Sequence, residues 1–138
     1  MLGSSQYLGE DAGMAALQDL ALLAAMYAMF AGAYQAYAMV ASAGVKAVDF
    51  AGSLEPWLQA MTASISDDAQ MIDSGDYSTD AQDLEFTKTA VDTIVRASAE
   101  ADVNADVLAP IGELIDRQIA NGHGRGHFVR MIESIRTS

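Results

Sequence analysis

An all-α bundle built on one long N-terminal helix is the fold this sequence predicts, and three observations predict it. From Met14 to Gly44 the chain carries a single formal charge, Asp19, and consists almost wholly of Ala, Leu, Met, Tyr and Phe. Ala, Leu and Met are strong helix formers, so one helix is the cheapest backbone for that stretch. Further on, apolar residues recur at three- and four-residue spacing, and nothing after Ala12 alternates as a strand does. The expected total is five or six helices with no internal repeat.

Met1 to Glu10 is short, and Gln6-Tyr7-Leu8 is its one strand-like run. A lone strand of that size needs a sheet that the rest of the chain does not offer. The long helix is expected over Ala12–Gly44, with Glu10 and Asp11 at the positive end of its dipole and Gly44 as its stop. At 1.5 Å per residue it would be roughly 50 Å long. A compact chain of 138 residues has a radius of gyration of about 14 Å and a diameter near ~37 Å. A helix that is apolar on every side and longer than its own domain requires a cover from outside the monomer.

Ala24, Ala28, Gly32 and Ala36 recur every fourth residue and make a ridge of small side chains. Such a ridge lets another helix come close, in water or in lipid. The bland reading is a core helix of a larger all-α domain, and the sharper one is a helix shared by two protomers. A single membrane span is a third reading, since Leu20–Ala43 is uncharged and long enough to cross a bilayer. Its alanine richness, the deep placement of Tyr27, Tyr34 and Gln35, and the single flanking cation Lys46 all argue against it.

Lys46–Leu54 reads as a short helical turn, and Pro56 suits the first turn of a new helix. That helix takes Leu58, Met61, Ile65 and Ile72 as its apolar stripe, keeps Asp67 and Asp68 wet, and ends at Asp73-Ser74-Gly75-Asp76. Thr79 is the expected cap of the next helix, which carries Leu84, Val91, Ile94, Val95 and Ser98 to Ala101. Asn104 or Asp106 then caps a helix with Leu108, Ile111, Leu114, Ile115 and Ile119, with Pro110 near its start. Gly122 and Gly124 break the chain around His123, and a last helix holds Phe128, Met131, Ile132 and Ile135.

The net charge of −12 and pI near 4.1 set aside nucleic acid and anionic membrane surfaces as partners. Cysteine is absent, which removes disulfides and thiolate chemistry. No basic region precedes an apolar core at the N-terminus, so no signal peptide is read, and a cytoplasmic setting is expected.

Among groups that can carry chemistry, Asp19 stands first. A carboxylate in an apolar helix is costly unless paired, although near the helix start it can simply favour the dipole. Tyr27 follows eight residues later, about 12 Å along the axis and roughly 80° around it. The two can line one cleft, and a phenol can donate a proton or hydrogen bond; the plain alternative for Tyr27, as for Tyr34 and Tyr37, is interface packing. His123 and His127 have a helical metal spacing, but glycines put His123 in a loop and no third ligand is in view, so no metal is expected. The acids at Asp73–Asp76 lack a calcium-loop pattern, and no glycine-rich phosphate loop is present. Trp57 at a helix start reads by default as core.

Several segments together resemble the NADPH-dependent imine reductases and reductive aminases, members of the β-hydroxyacid dehydrogenase-like superfamily. They are Tyr7-Leu8-Gly9-Glu10-Asp11-Ala12-Gly13, Asp19-Leu20-Ala21-Leu22-Leu23 with Met26-Tyr27, Pro56-Trp57-Leu58-Gln59-Ala60-Met61, Ile72-Asp73-Ser74-Gly75-Asp76-Tyr77 and Gly122-His123-Gly124. The resemblance covers nearly the whole chain but only the C-terminal half of that family. It implies an intertwined homodimer through the long helix, like the C-terminal domain of 6-phosphogluconate dehydrogenase-type reductases. It implies that residues 1–10 are the remnant of the border strand of a missing Rossmann domain, and 11–138 the helical dimerisation and substrate-binding domain. NADPH would then be held by that Rossmann domain, from a missing segment or a separate chain, and none by this chain alone.

Residue by residue, the resemblance puts Tyr27 where the family has its Tyr or Asp proton donor, and Asp19 where an aspartate orients the amine. It makes Trp57 a pocket-lining residue. Phe86 and Thr87 stand where relatives can carry Met and Gln near the substrate, a departure that bears on substrate scope. The expected function is the substrate-side half of an imine reductase-type oxidoreductase acting on a small imine or amine, inactive alone. Two alternatives are a non-catalytic helical dimerisation or ligand-binding module and, less favoured, a single-pass membrane protein.

Overall fold

The computed structural model describes residues 10–136, and the Gln6-Tyr7-Leu8 run therefore lies outside the described residues. Six α-helices follow in order: α1 Glu10–Ala41, α2 Ala47–Met61, α3 Ile65–Ser74, α4 Leu84–Glu100, α5 Ala109–Ala120 and α6 Ile132–Ile135. Short 3₁₀ turns at Thr62–Ser64 and Phe128–Met131 lead into α3 and α6. No strand occurs among the described residues; one isolated antiparallel bridge joins Asp83 to His127. The all-α class is thus observed. The described residues fall into two compact units, 10–34 and 35–136.

In the first unit α1 is unbroken, as its composition requires. Its apolar residues are spread round the helix rather than gathered in one stripe. Met14, Leu17, Leu20, Leu22, Tyr27 and Tyr34 are each more than half exposed. By length and hydropathy Asp11–Ala41 would also pass for a membrane span.

The second unit is organised by α4 and α5. Leu84 and Ile115 are fully buried and Val91 nearly so, with Val95, Ile111, Ile119 and Met131 packed against them. These positions are the helical-period apolar residues of the sequence, so the core lies where the spacing puts it. Gly112 is buried at the α4–α5 contact, where a Cβ would lie 3.5 Å from a Val91 methyl. A buried polar pair lies beside this core: Gln35 Nε2 donates to Ser98 Oγ at 3.2 Å, and Ser98 Oγ donates to the Ile94 carbonyl at 2.8 Å.

Several boundaries differ from the sequence expectation. Pro56 does not start a helix but sits inside α2, which begins at Ala47. The proline cannot donate to the Gly52 carbonyl, a defect that flanking helix outweighs. The stripe expected to run from Leu58 to Ile72 is split by the 3₁₀ turn at Thr62–Ser64. There the Thr62 and Ser64 hydroxyls donate to the Gln59 and Met61 carbonyls, competing with helical pairing. Gly75 ends α3 in the left-handed conformation (φ 72°), which a glycine adopts without strain.

The cap of α4 is Asp83, not Thr79: Asp83 Oδ1 accepts from Phe86 N at 2.8 Å. The next two orphan donors, Leu84 N and Glu85 N, reach the carbonyls of Gly126 and Gly124 at 2.9 and 3.0 Å. A loop more than 35 residues away in sequence finishes the cap, and local reading cannot see it. Neither Asn104 nor Asp106 caps α5, whose flanking residue is Leu108. Asn104 instead closes a turn on Asp106 N at 2.7 Å, and Pro110 lies in the first turn as expected. The last helix is reduced to a 3₁₀ turn and one α turn.

Ile115→Ala should lower unfolding free energy by about 2–5 kcal/mol, because a fully buried side chain leaves a cavity. Urea denaturation at matched protein concentration measures it. Asp83→Ala should cost about 1 kcal/mol by the loss of the cap.

Candidate functional site

On α1, helix geometry places Asp19, Leu23, Tyr27, Phe30 and Tyr34 within a sector of about 80°. Asp19 is half-buried, whereas Tyr27 is 65% exposed. Phe30 and Tyr34 stack with centroids 6.1 Å apart. The ridge Ala24, Ala28, Gly32 and Ala36 falls on the opposite side of the same helix, about 140–260° from Asp19. One face of α1 therefore offers a carboxylate and phenols in an aromatic setting, and the other offers smooth backbone to a neighbouring helix.

In the second unit Trp57 does not pack into the core, contrary to the default for a lone tryptophan; it is 64% exposed. With Phe50, Ser53 and Leu54, at helical spacing on α2, it lines a largely apolar hollow of about 290 Å³. The Tyr37 ring meets Phe50 edge-on at 6.3 Å. Phe86 and Thr87 ride on the first turn of α4, so the Asp83 cap and the Gly124–Gly126 loop fix their position. Phe86 is 61% exposed, and the Thr87 hydroxyl donates to the Asp83 carbonyl at 3.0 Å. Asp19 and Tyr27 are thus brought to one face, and Phe86 and Thr87 are neighbours on another helix. Trp57 lies on α2, whose main packing partner is the turn that follows it.

A polar cluster that sequence reading missed lies around Tyr77. Its buried phenol donates to Glu133 Oε2 at 2.5 Å, and Arg136 Nη1 reaches the same oxygen at 3.1 Å. The Arg130 guanidinium lies over the Tyr77 ring, 5.1 Å from its centroid, and its Nε donates to Gln118 Oε1 at 3.1 Å. Gln118 Nε2 donates to Ser134, whose hydroxyl reaches the Leu114 carbonyl. Burial and the Glu133 carboxylate push the Tyr77 phenol above its ordinary value. The Tyr77 hydrogen bond, with the nearby arginines adding to it, holds Glu133 below the usual carboxylate range. Tyr77 and Glu133 are 56 residues apart, and no periodicity joins them.

His127 Nδ1 accepts from Val129 N at 3.0 Å and so caps the 3₁₀ turn, while His123 is exposed in the preceding loop. Among the described residues no three His, Asp or Glu side chains converge as metal ligands would. A dinucleotide pyrophosphate is held by a glycine-rich turn between a strand and a helix. The described residues contain no strand, and Gly122-His123-Gly124 lies between α5 and a 3₁₀ turn, so they do not fit the dinucleotide by themselves.

Residues 11–137 match the family model of the NADPH-dependent reductive aminase-like C-terminal domain. The chain belongs to that family. It is 40% identical over 136 residues to an NADPH-dependent reductive aminase of Aspergillus oryzae, covering 96% of this chain and 46% of the relative. A reductive aminase of Aspergillus terreus in complex with NADPH and ethyl levulinate superposes with a TM-score of 0.89 at 43% identity, over 97% of this chain and 47% of that one. A Streptomyces aurantiacus imine reductase shares the fold at 23% identity, with a TM-score of 0.85 over 95% of this chain and 46% of that one. The chain thus spans about half the length of the relatives it matches. The apolar stretch of α1 lies inside the matched domain.

The Glu133 environment has a consequence for stability. A carboxyl held low in the folded state contributes stability above its unfolded value and loses it as pH falls through the folded one. A phenol held high does the reverse, losing its contribution as pH rises past the ordinary tyrosine value. Thermal midpoints of the chain should therefore fall below the carboxylate range and again in strong alkali. In Glu133→Gln the acid-side fall should be shallower, and in Tyr77→Phe the alkaline one.

Proposed function

We propose that this chain is the substrate-side and dimerisation half of an NADPH-dependent imine reductase or reductive aminase, acting on a small imine or amine. The observation that carries the reading is the placement of Asp19 and Tyr27 on one exposed face of α1, within a domain of the reductive aminase-like family. NADPH, held by a Rossmann domain from another segment or chain, would supply the hydride, and reduction of the imine would then require a proton at its nitrogen. Tyr27 Oη delivers that proton, and the Asp19 carboxylate binds and orients the amine nitrogen. Trp57, Phe86 and Thr87 shape the walls of the substrate space, two as exposed aromatic surface and one as a short polar side chain.

The exposed apolar surface of α1 supports a homodimer through that helix, since water is a poor neighbour for six large apolar or aromatic side chains. The small-residue ridge gives a second copy its closest line of approach. This reading places the protein in the cytoplasm, with neither membrane nor nucleic acid as partner; the strongly negative charge agrees with the last.

Joined covalently to a family Rossmann domain, the chain should reduce a cyclic imine with consumption of NADPH. Tyr27→Phe should then lower kcat by about 10²–10⁴, and Asp19→Asn should raise KM for the amine. Full activity in Tyr27→Phe would remove the proton-delivery role. No turnover in any fusion, despite a folded dimer by sedimentation, would favour a non-catalytic dimerisation module. The 138 residues alone should show no NADPH oxidation.

A further inference from the structure

The last segment of the chain departs from its overall charge. From Arg117 onward there are four arginines and one glutamate, in a protein whose net charge is −12. Two of those arginines, Arg125 and Arg130, line a hollow of about 430 Å³ together with Tyr77, Ser78, Thr79 and His123. None of the residues assigned above to proton delivery or substrate contact lines it.

The cations there are only partly compensated: Arg130 is close enough to Glu133 to help hold its carboxyl low, and Arg125 faces Asp83. Arg130 meets the protein through its Nε, on Gln118, and through the flat face of its guanidinium, on Tyr77. No acceptor among the described residues meets its Nη groups. Gln118 is itself buried and tied to Ser134, so the guanidinium is held rather than free to swing. Arg125 is 89% exposed and makes a single long ion pair, 3.5 Å to Asp83 Oδ2.

Four carboxylates lie nearby, and each has its own contacts: Glu133 is bound by Tyr77 and Arg136, and Glu85 packs against Gly124. Asp83 Oδ1 caps α4, and Asp76 Oδ1 accepts from the Ser78 amide and hydroxyl. The overall negative charge does not forbid an anion here. Charges farther off than about 8 Å are largely screened at physiological salt, whereas the arginines act at contact distance.

We propose that this hollow binds a small organic oxyanion, a phosphate or carboxylate ester-sized molecule, with Arg130 as the fixed cation and Arg125 and His123 closing over it. The proposal stands or falls independently of imine reduction, because its readout is binding to the chain itself.

The test is titration of the 138-residue protein with inorganic phosphate and with glycerol phosphate, followed by nitrogen-edited NMR, with glycerol as the uncharged control. Saturable amide shifts confined to residues 77–79 and 122–130 are expected with the anions and absent with glycerol. Arg125→Gln, an exposed change that leaves the fold and melting profile intact, should weaken binding about tenfold, as loss of a charge-assisted hydrogen bond does. Arg130→Gln should abolish it. Shifts scattered over the whole surface, or unchanged affinity in a folded Arg125→Gln protein, would overturn the proposal. So would failure of either anion to saturate.

Discussion

The rest of this structure depends on one constraint: α1 has no dry side of its own. A surface helix normally buries one apolar stripe and wets the rest, but here the apolar residues go all the way round. Six large side chains on it stand more than half in solvent in the single chain. Covering each is worth roughly 1.5–3 kcal/mol, on the order of 10 kcal/mol together, as much as the whole stability of a typical domain. In the proposed dimer, folding and association are therefore hard to separate. The same helix also carries Asp19 and Tyr27, so a site built on it inherits its precision from whatever covers the helix.

The second unit solves a different problem, that of a small core. Leu84, Val91 and Ile115 are its buried apolar centre, and polar pairs surround them. Gln35 with Ser98, and Gln118 with Ser134 and Arg130, are buried or half-buried side chains whose hydrogen bonds are met. Among the described residues no buried side-chain polar atom is left without a partner. Leaving one such group unmet would cost about 1–3 kcal/mol, a large share of what a core this small supplies. Phe86 and Thr87 owe their position to the same economy, since the α4 start they ride on is capped jointly by Asp83 and two glycine carbonyls.

The hollow beside Tyr77 and the Tyr77–Glu133 bond belong to one network, and this links stability to recognition. Arg130 braces the Tyr77 ring and is itself held by Gln118. Glu133, held by Tyr77 and Arg136, also feels the Arg130 charge, so the carboxylate, the phenol and both arginines act as one cluster. An anion entering would meet a cation already fixed in place, which lowers the ordering cost of binding.

The sequence by itself determined the helical class, the unbroken α1, the α4 and α5 core positions and the glycine stop at Gly75, because each rests on spacing or backbone freedom within a few residues. It also carried the family resemblance, and with it Asp19 and Tyr27 on one helix face, since eight residues of known helix geometry fix their relation. It misjudged Pro56, which flanking helix carries, the α5 start, where Asn104 closes a local turn, and Thr79, where the cap was decided by partners far along the chain. Only the tertiary structure decided that Asp83 rather than Thr79 starts α4, because Gly124 and Gly126 arrive there to finish the cap. Only it joined Tyr77 to Glu133 and set Trp57 outside the core. Contacts across fifty or more residues leave no periodic trace, and hydrogen bonds with no local alternative are settled when the elements pack.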